Sequence, residues 1–97
     1  MEKHHHILKF LLGGGSVKQK TIMLKALDVE QGRMLSEIVV NILYGVLPIT
    51  LHYKRKLQHF KTLWAKLATG SDISRVALIS KNVKPVLLML KSVSNLV

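Results

Sequence analysis

Between residues 51 and 68 the apolar side chains recur with the period of an α-helix, and this spacing constrains the fold more than any other feature of the 97-residue chain. The apolar residues follow one another at intervals of four, three, four and three. At about 100° per residue they fall within an arc of about 80°. They are Tyr53, Leu57, Phe60, Trp64 and Leu67, which we call the apolar seam. The seam predicts one amphipathic helix, Leu51 to Ala68, that turns this face towards a core.

Helix start and stop signals divide the remaining chain into further short helices. Four polar residues, Ser16, Asp28, Thr50 and either Ser71 or Asp72, stand where N-caps are expected, and Gln31 completes a capping box with Asp28. Gly45 and Gly70 stand at expected helix ends, and Pro85 suits the first turn of a last helix. The predicted fold is therefore all-α, a small bundle of four to five short helices. Trp64, Phe60 and Leu57 are expected to pack against the helix that contains Ile38 to Leu43.

The β-branched run around Ile38 to Ile42 leaves a strand as an alternative. Glu37 and Asn41 lie one helical turn apart, on what would be the wet face of a helix, so we favour the helix.

The N-terminal segment is expected to lie outside the main domain. Residues 1–15 read as an arm or short helix that ends in a glycine joint, and residues 16–97 as a single helical domain. The apolar run Ile7 to Leu12 is interrupted by Lys9 and lacks a convincing cleavage site after it, so we expect no secretion signal. The run Ile38 to Leu51 has 14 residues, against about 20 for a membrane helix. An intracellular protein without a transmembrane segment is predicted.

Positive charge is concentrated in the second half of the chain. Residues 1–50 carry six basic and four acidic side chains, whereas residues 51–97 carry nine and one, within a net charge of +10. Such an excess favours polyanionic partners. We expect non-specific association with DNA or RNA through cations of the central helix and Arg75, and the predicted contact residues are Lys54, Arg55, Lys56, His59, Lys61, Lys66 and Arg75. A solvated face that keeps the protein soluble is the alternative.

The start of the central helix adds weight to this expectation. Lys54, Arg55 and Lys56 would lie in its first turns, where cations oppose the helix dipole. A phosphate backbone would explain why they are tolerated there.

The last helix suggests a second kind of partner. Its apolar face comprises Val86, Met89, Leu90, Val93 and Val97, and it suits either a protein core or an anionic membrane surface. We favour core, and keep a membrane-interacting structural protein or a helical protein-interaction module as alternatives.

The residues that could carry catalysis are few. There is no cysteine and only five acidic residues, and no acidic pair or serine–histidine–acid set is apparent. His4, His5 and His6 are adjacent and would diverge on a helix, while His52 and His59 are separated by a rise of about 10 Å, so neither set predicts a metal site. Gly13 to Gly15 lack the spacing of a phosphate loop. We expect no enzymatic activity, cofactor or small-molecule substrate.

One segment resembles a known family. Residues 37–50, with Asn41, Gly45 and Pro48 as the fingerprint, precede the basic runs Tyr53 to Leu57 and His59 to Ala68. This order resembles the short basic proteins encoded in polinton (Maverick) elements and the related adintoviruses. The chain departs from that pattern in residues 69–81, which are less basic, and at residues 82–85, where family members often carry Gly-Gly. The resemblance implies a nucleic-acid-associated or virion component of a virus-like element, located in the nucleus or the virion.

Overall fold

The chain is helical throughout the part that the computed structural model describes, which comprises residues 5–14, 16–45 and 47–94. Its elements are α1 (His5–Lys9), a π-helical segment (Phe10–Gly14), α2 (Val17–Lys25), α3 (Val29–Leu43), α4 (Leu51–Gln58), α5 (Lys61–Thr69), α6 (Asp72–Lys81) and α7 (Val83–Val93). The all-α prediction is confirmed. These ranges hold seven α-helices rather than four or five, and the strand alternative for Ile38 to Ile42 is wrong because these residues lie inside α3.

The predicted N-caps form the hydrogen bonds that stop a helix from fraying. Ser16 and Asp28 each accept the N–H three residues on, at 3.1 and 2.8 Å, and both take part in full capping boxes. Thr50 and Ser71 cap α4 and α6 in the same way. Gly45, with φ of 74°, occupies the left-handed region after α3, where a glycine avoids the steric cost of a Cβ.

The single helix predicted for Leu51 to Ala68 is broken at His59 and Phe60. At the break the backbone of Phe60 leaves the helical region, with φ −116° and ψ 24°. The Leu57 carbonyl accepts the N–H of Phe60 at 3.0 Å and the indole Nε1–H of Trp64 at 2.8 Å. The chain therefore changes from α4 to α5 without leaving a buried carbonyl unsatisfied.

The apolar seam faces the core on both sides of this break. Leu57, Trp64 and Leu67 are buried, and Tyr53 and Phe60 are half-buried. α5 and α6 pack on α3, α2 packs on α6 and α7, and α4 and the π-helical segment pack on α7. The result is a body of 30 × 28 × 25 Å.

The described part of the N-terminal segment belongs to this body. Leu11 is 1% exposed within the core, and the π-helical segment that carries it contacts α7. The described residues 5–14 thus include the short helix that was one of the two expectations, and the π-helical segment after it packs on α7. The third glycine of the expected joint, Gly15, lies outside the described residues.

The proposed membrane face of α7 is part of the core. Val86, Met89, Leu90 and Val93 are each at most 1% exposed, so the favoured assignment of these residues to the core is confirmed, and the alternative that they meet a lipid surface is wrong for the folded chain. Val97 lies outside the described residues. Among the helices that are described, none has both the length and the apolar character needed to cross a bilayer.

Candidate nucleic-acid interface

Six of the seven predicted contact residues project from α4, α5 and the turn between them into solvent. They are Lys54, Arg55, Lys56, His59, Lys61 and Lys66, which we call the cationic face. Residues 51–71 contain no aspartate or glutamate. The ion pairs found within the described residues involve Asp72 with Arg33 and Arg75, so none of the cationic face is neutralised in this way.

The break between α4 and α5 changes the electrostatic setting of these cations. Because α4 ends at Gln58, Arg55 and Lys56 lie in its last turn, where positive charge is favourable. The inference that all three cations of the run 54–56 oppose a helix dipole is therefore wrong. The helix dipole therefore gives no reason to invoke an external anion for the run 54–56. The exposure of these cations and their lack of carboxylate partners are the remaining indications that they bind an anion.

Arg75, the seventh predicted contact, points inward. Its side chain is 18% exposed, and its guanidinium donates to the carbonyls of Leu67 at 3.0 Å and Ala68 at 3.4 Å. Ser36 of α3 donates to the same Leu67 carbonyl at 2.9 Å. Arg75 thus satisfies the carbonyl end of α5, whose last carbonyls have no partner within the helix. It is separate from the cationic face.

Asp72 links one further cation, Arg33, to this junction. It accepts from Arg33 at 2.6 Å and from Arg75 at 3.4 Å, and it occupies the first turn of α6. The hydrogen bond from Arg33, together with the charges of Arg33 and Arg75, holds the pKa of Asp72 below its usual value. The same hydrogen bond raises the pKa of Arg33.

A groove of about 440 Å³ adjoins the cationic face, and we call it the tryptophan groove. It lies between α3 with its following turn, the α4–α5 pair and α7. Its lining is Val39, Ile42, Leu43, Gly45, Leu47, Pro48, Ile49, Lys54, Leu57, Gln58, Lys61, Trp64 and Met89. Helical periodicity places Lys54 and Lys61 on one flank of the seam, and both side chains do border this groove. The rest of the groove is not apparent from the sequence because α3 and α7 are distant in the chain.

A second group of lysines is brought together by the fold. Lys25 of α2, Lys81 of α6 and Lys84 of α7 border a shallow depression, and all three are exposed. We call them the second lysine cluster. Lys81 and Lys84 are already close in the sequence, but only the packing of α2 on α6 and α7 makes Lys25 their neighbour.

Within the described residues, the histidines join no group that could hold a metal ion. His52 and His59 are both exposed, and the ring of His52 contacts Tyr53 edge-on with centroids 5.4 Å apart. His4 and the side chain of His5 lie outside the described residues. Within the described ranges, no group of three or more histidine or acidic side chains is arranged to hold a metal ion.

Comparison of the chain with protein-family models, curated proteins and solved structures returns no match. Any functional conclusion therefore depends on the geometry and charge described above.

Proposed function

We propose that this is a non-enzymatic basic protein that associates with nucleic acid, without sequence preference, through the cationic face. The observation that carries the proposal is that six basic side chains are exposed within residues 54–66, while residues 51–71 contain no aspartate or glutamate. Each lysine or arginine that meets a phosphate releases a condensed counterion, and this release supplies affinity that does not depend on base sequence.

The aromatic residues of α5 and of the turn before it favour a backbone-binding mode over base stacking. Trp64 is buried, and Phe60 is half-buried with its ring edge-on to Trp64 at a centroid distance of 6.3 Å. Neither presents an open ring face on which a base would stack. We therefore expect similar affinity for duplexes of different sequence.

The proposal extends to the origin of the protein. The resemblance of residues 37–68 to short basic proteins of polinton elements and adintoviruses supports a role in a virus-like element. There the protein would be a nuclear or virion-associated component that neutralises packaged nucleic acid.

The salt dependence of DNA binding tests the proposal. We expect binding to a short duplex to weaken steeply as NaCl rises. Replacing Lys54, Arg55 and Lys61 by glutamine should make the slope of log K against log[salt] shallower by about 2.7, which corresponds to three lost phosphate contacts. Fluorescence anisotropy of a labelled duplex measures both quantities.

The second lysine cluster supplies a matched control. Replacing Lys25, Lys81 and Lys84 by glutamine removes the same net charge from another surface, and we expect it to leave most of the slope intact. If the control lowered the slope as much as the test variant, net charge rather than the cationic face would govern binding. If the wild-type chain failed to bind duplex DNA and RNA at low salt, the proposal would be wrong.

A further inference from the structure

The tryptophan groove has the chemistry of a ligand site that the cationic face alone does not explain. Its floor is apolar, with Val39 2%, Trp64 4% and Met89 1% exposed. At about 440 Å³ it falls in the size range of small-molecule pockets, about 300–1,000 Å³. An alkyl chain laid along this floor would be removed from water on several sides.

The polar atoms at the groove come from one edge. Lys54 and Lys61, on either side of the α4–α5 break, border it together with the amide of Gln58. No acidic residue is among the residues that line it. Neither lysine takes part in an ion pair within the described ranges. Two lysine side chains without a carboxylate partner in the described residues therefore border an apolar recess.

We propose that the tryptophan groove binds an anionic amphiphile, a medium-chain alkyl carboxylate. The alkyl chain lies over Trp64 and Met89, and the carboxylate accepts hydrogen bonds from Lys54 and Lys61. The apolar floor favours an alkyl chain. The lysines at the edge, with no acidic residue beside them, favour a negatively charged headgroup. The site shares Lys54 and Lys61 with the cationic face, but its apolar floor has no part in nucleic-acid binding, because a phosphate backbone has no chain that enters the groove.

The concave shape favours a single chain over a bilayer surface. The apolar face of α7 that a membrane would contact is buried, and the apolar lining of the groove lies in a recess between helices. A monomeric amphiphile enters such a recess more readily than a lipid held in a vesicle.

The sole tryptophan of the chain reports directly on this site. Trp64 lines the groove, and no other tryptophan contributes fluorescence. We expect 12-bromododecanoate, added below its micelle concentration, to quench Trp64 by contact in a saturable way. Unbrominated dodecanoate should reverse the quenching by competition. Dodecyltrimethylammonium carries the same chain with a positive headgroup, and it should not compete.

Lysine variants separate the groove from general electrostatics. Replacing Lys54 and Lys61 by glutamine should weaken bromododecanoate binding about tenfold or more, because two charge-assisted hydrogen bonds are lost. The control replaces Lys56 and Lys66, which are exposed but do not line the groove, and should leave the affinity unchanged. All four side chains are solvent-exposed, so both variants are expected to fold.

Three results would overturn the proposal. They are absence of saturable quenching by bromododecanoate, equal competition by the cationic amphiphile, and equal loss of affinity in the two lysine variants. Vesicles of phosphatidylglycerol with brominated chains form a separate arm. Quenching by these vesicles in the absence of quenching by free bromododecanoate would assign the surface to membrane lipid and would also overturn the proposal.

Discussion

At the scale of single residues, Trp64 has two separable roles. Its rings fill the core between α5 and its neighbours, and its indole N–H satisfies the Leu57 carbonyl at the end of α4. Trp64→Ala removes both and should lower the free energy of unfolding by about 3–5 kcal/mol. Trp64→Phe keeps an aromatic ring and loses chiefly the hydrogen bond, so a cost of about 1–2 kcal/mol is expected.

Chemical denaturation followed by circular dichroism measures both variants, since neither retains a tryptophan for fluorescence. A loss below about 1 kcal/mol for Trp64→Ala would mean that the apolar seam does not face a core.

Asp72 makes the stability of the folded state depend on pH in the acidic range. Its pKa is lowered in the folded chain, so the folded state favours the ionised form more than the unfolded chain does. The stabilisation is present above the unfolded pKa of about 3.9 and disappears as the pH falls through the lower folded value. Asp72→Asn should therefore melt at a lower temperature than the wild type at pH 6, and the difference should shrink towards zero near pH 2.

Arg33→Gln removes the partner that makes the shortest bond to Asp72, and it should show the same convergence at low pH. A difference in melting temperature that stayed constant from pH 6 to pH 2 would indicate that the aspartate acts without its charge.

At the scale of elements, α3 approaches α6 closely at Gly32. A Cβ placed there would lie 3.0 Å from Cγ2 of Val76 in α6. Gly32→Val adds an isopropyl group at this contact and should destabilise the chain by about 1–3 kcal/mol. Adding Val76→Ala removes the opposing methyl groups, so the double variant should recover part of the loss.

The same denaturation experiment measures this coupling between Gly32 and Val76. Ala77→Val places a β-branched residue at an exposed position of α6, and serves as the control for the intrinsic helix cost of valine. Additive effects of the two changes, with no recovery, would show that α3 and α6 do not meet at these residues.

Sequence patterns predict elements well where the signal is local. The caps at Ser16, Asp28 and Thr50 are predictable from the sequence because each capping hydrogen bond joins residues three positions apart. The break at His59 and Phe60 was not, because the seam keeps its four–three spacing across it. The decisive contact, the indole of Trp64 on the Leu57 carbonyl, depends on a backbone turn that apolar periodicity does not encode.

At the scale of the whole molecule, the sequence predicts which cations are exposed. It does not predict the grooves and clusters that these cations border. Exposure of Lys54, Lys61 and their neighbours follows from the direction of one helical face. The inward position of Arg75 depends on where α5 ends, and both the tryptophan groove and the second lysine cluster are assembled from helices that are remote in sequence. Tertiary packing determines these features, so a reading of local patterns misses them.

The excess of positive charge on this small protein should itself lower the stability of the fold at low salt. The net charge is +10, and the longest dimension is 30 Å. The Debye length is about 30 Å at 0.01 M salt, so cations on all surfaces repel one another, whereas at 0.15 M it is about 8 Å and only neighbours interact. The melting temperature should therefore rise by several degrees when NaCl is raised from 10 to about 150 mM, since screening relieves self-repulsion.

The variant that replaces Lys54, Arg55 and Lys61 by glutamine connects this effect to the proposed function. It should melt at a higher temperature than the wild type in 10 mM NaCl and depend less on salt, while it binds DNA more weakly. Calorimetry or circular dichroism at the two salt concentrations measures the first effect, and duplex binding measures the second. Opposite shifts in stability and affinity would mean that these cations are retained at a cost to the fold, as a binding surface requires. If the variant were less stable at both salt concentrations, the three side chains would instead be stabilising the bundle through their own packing.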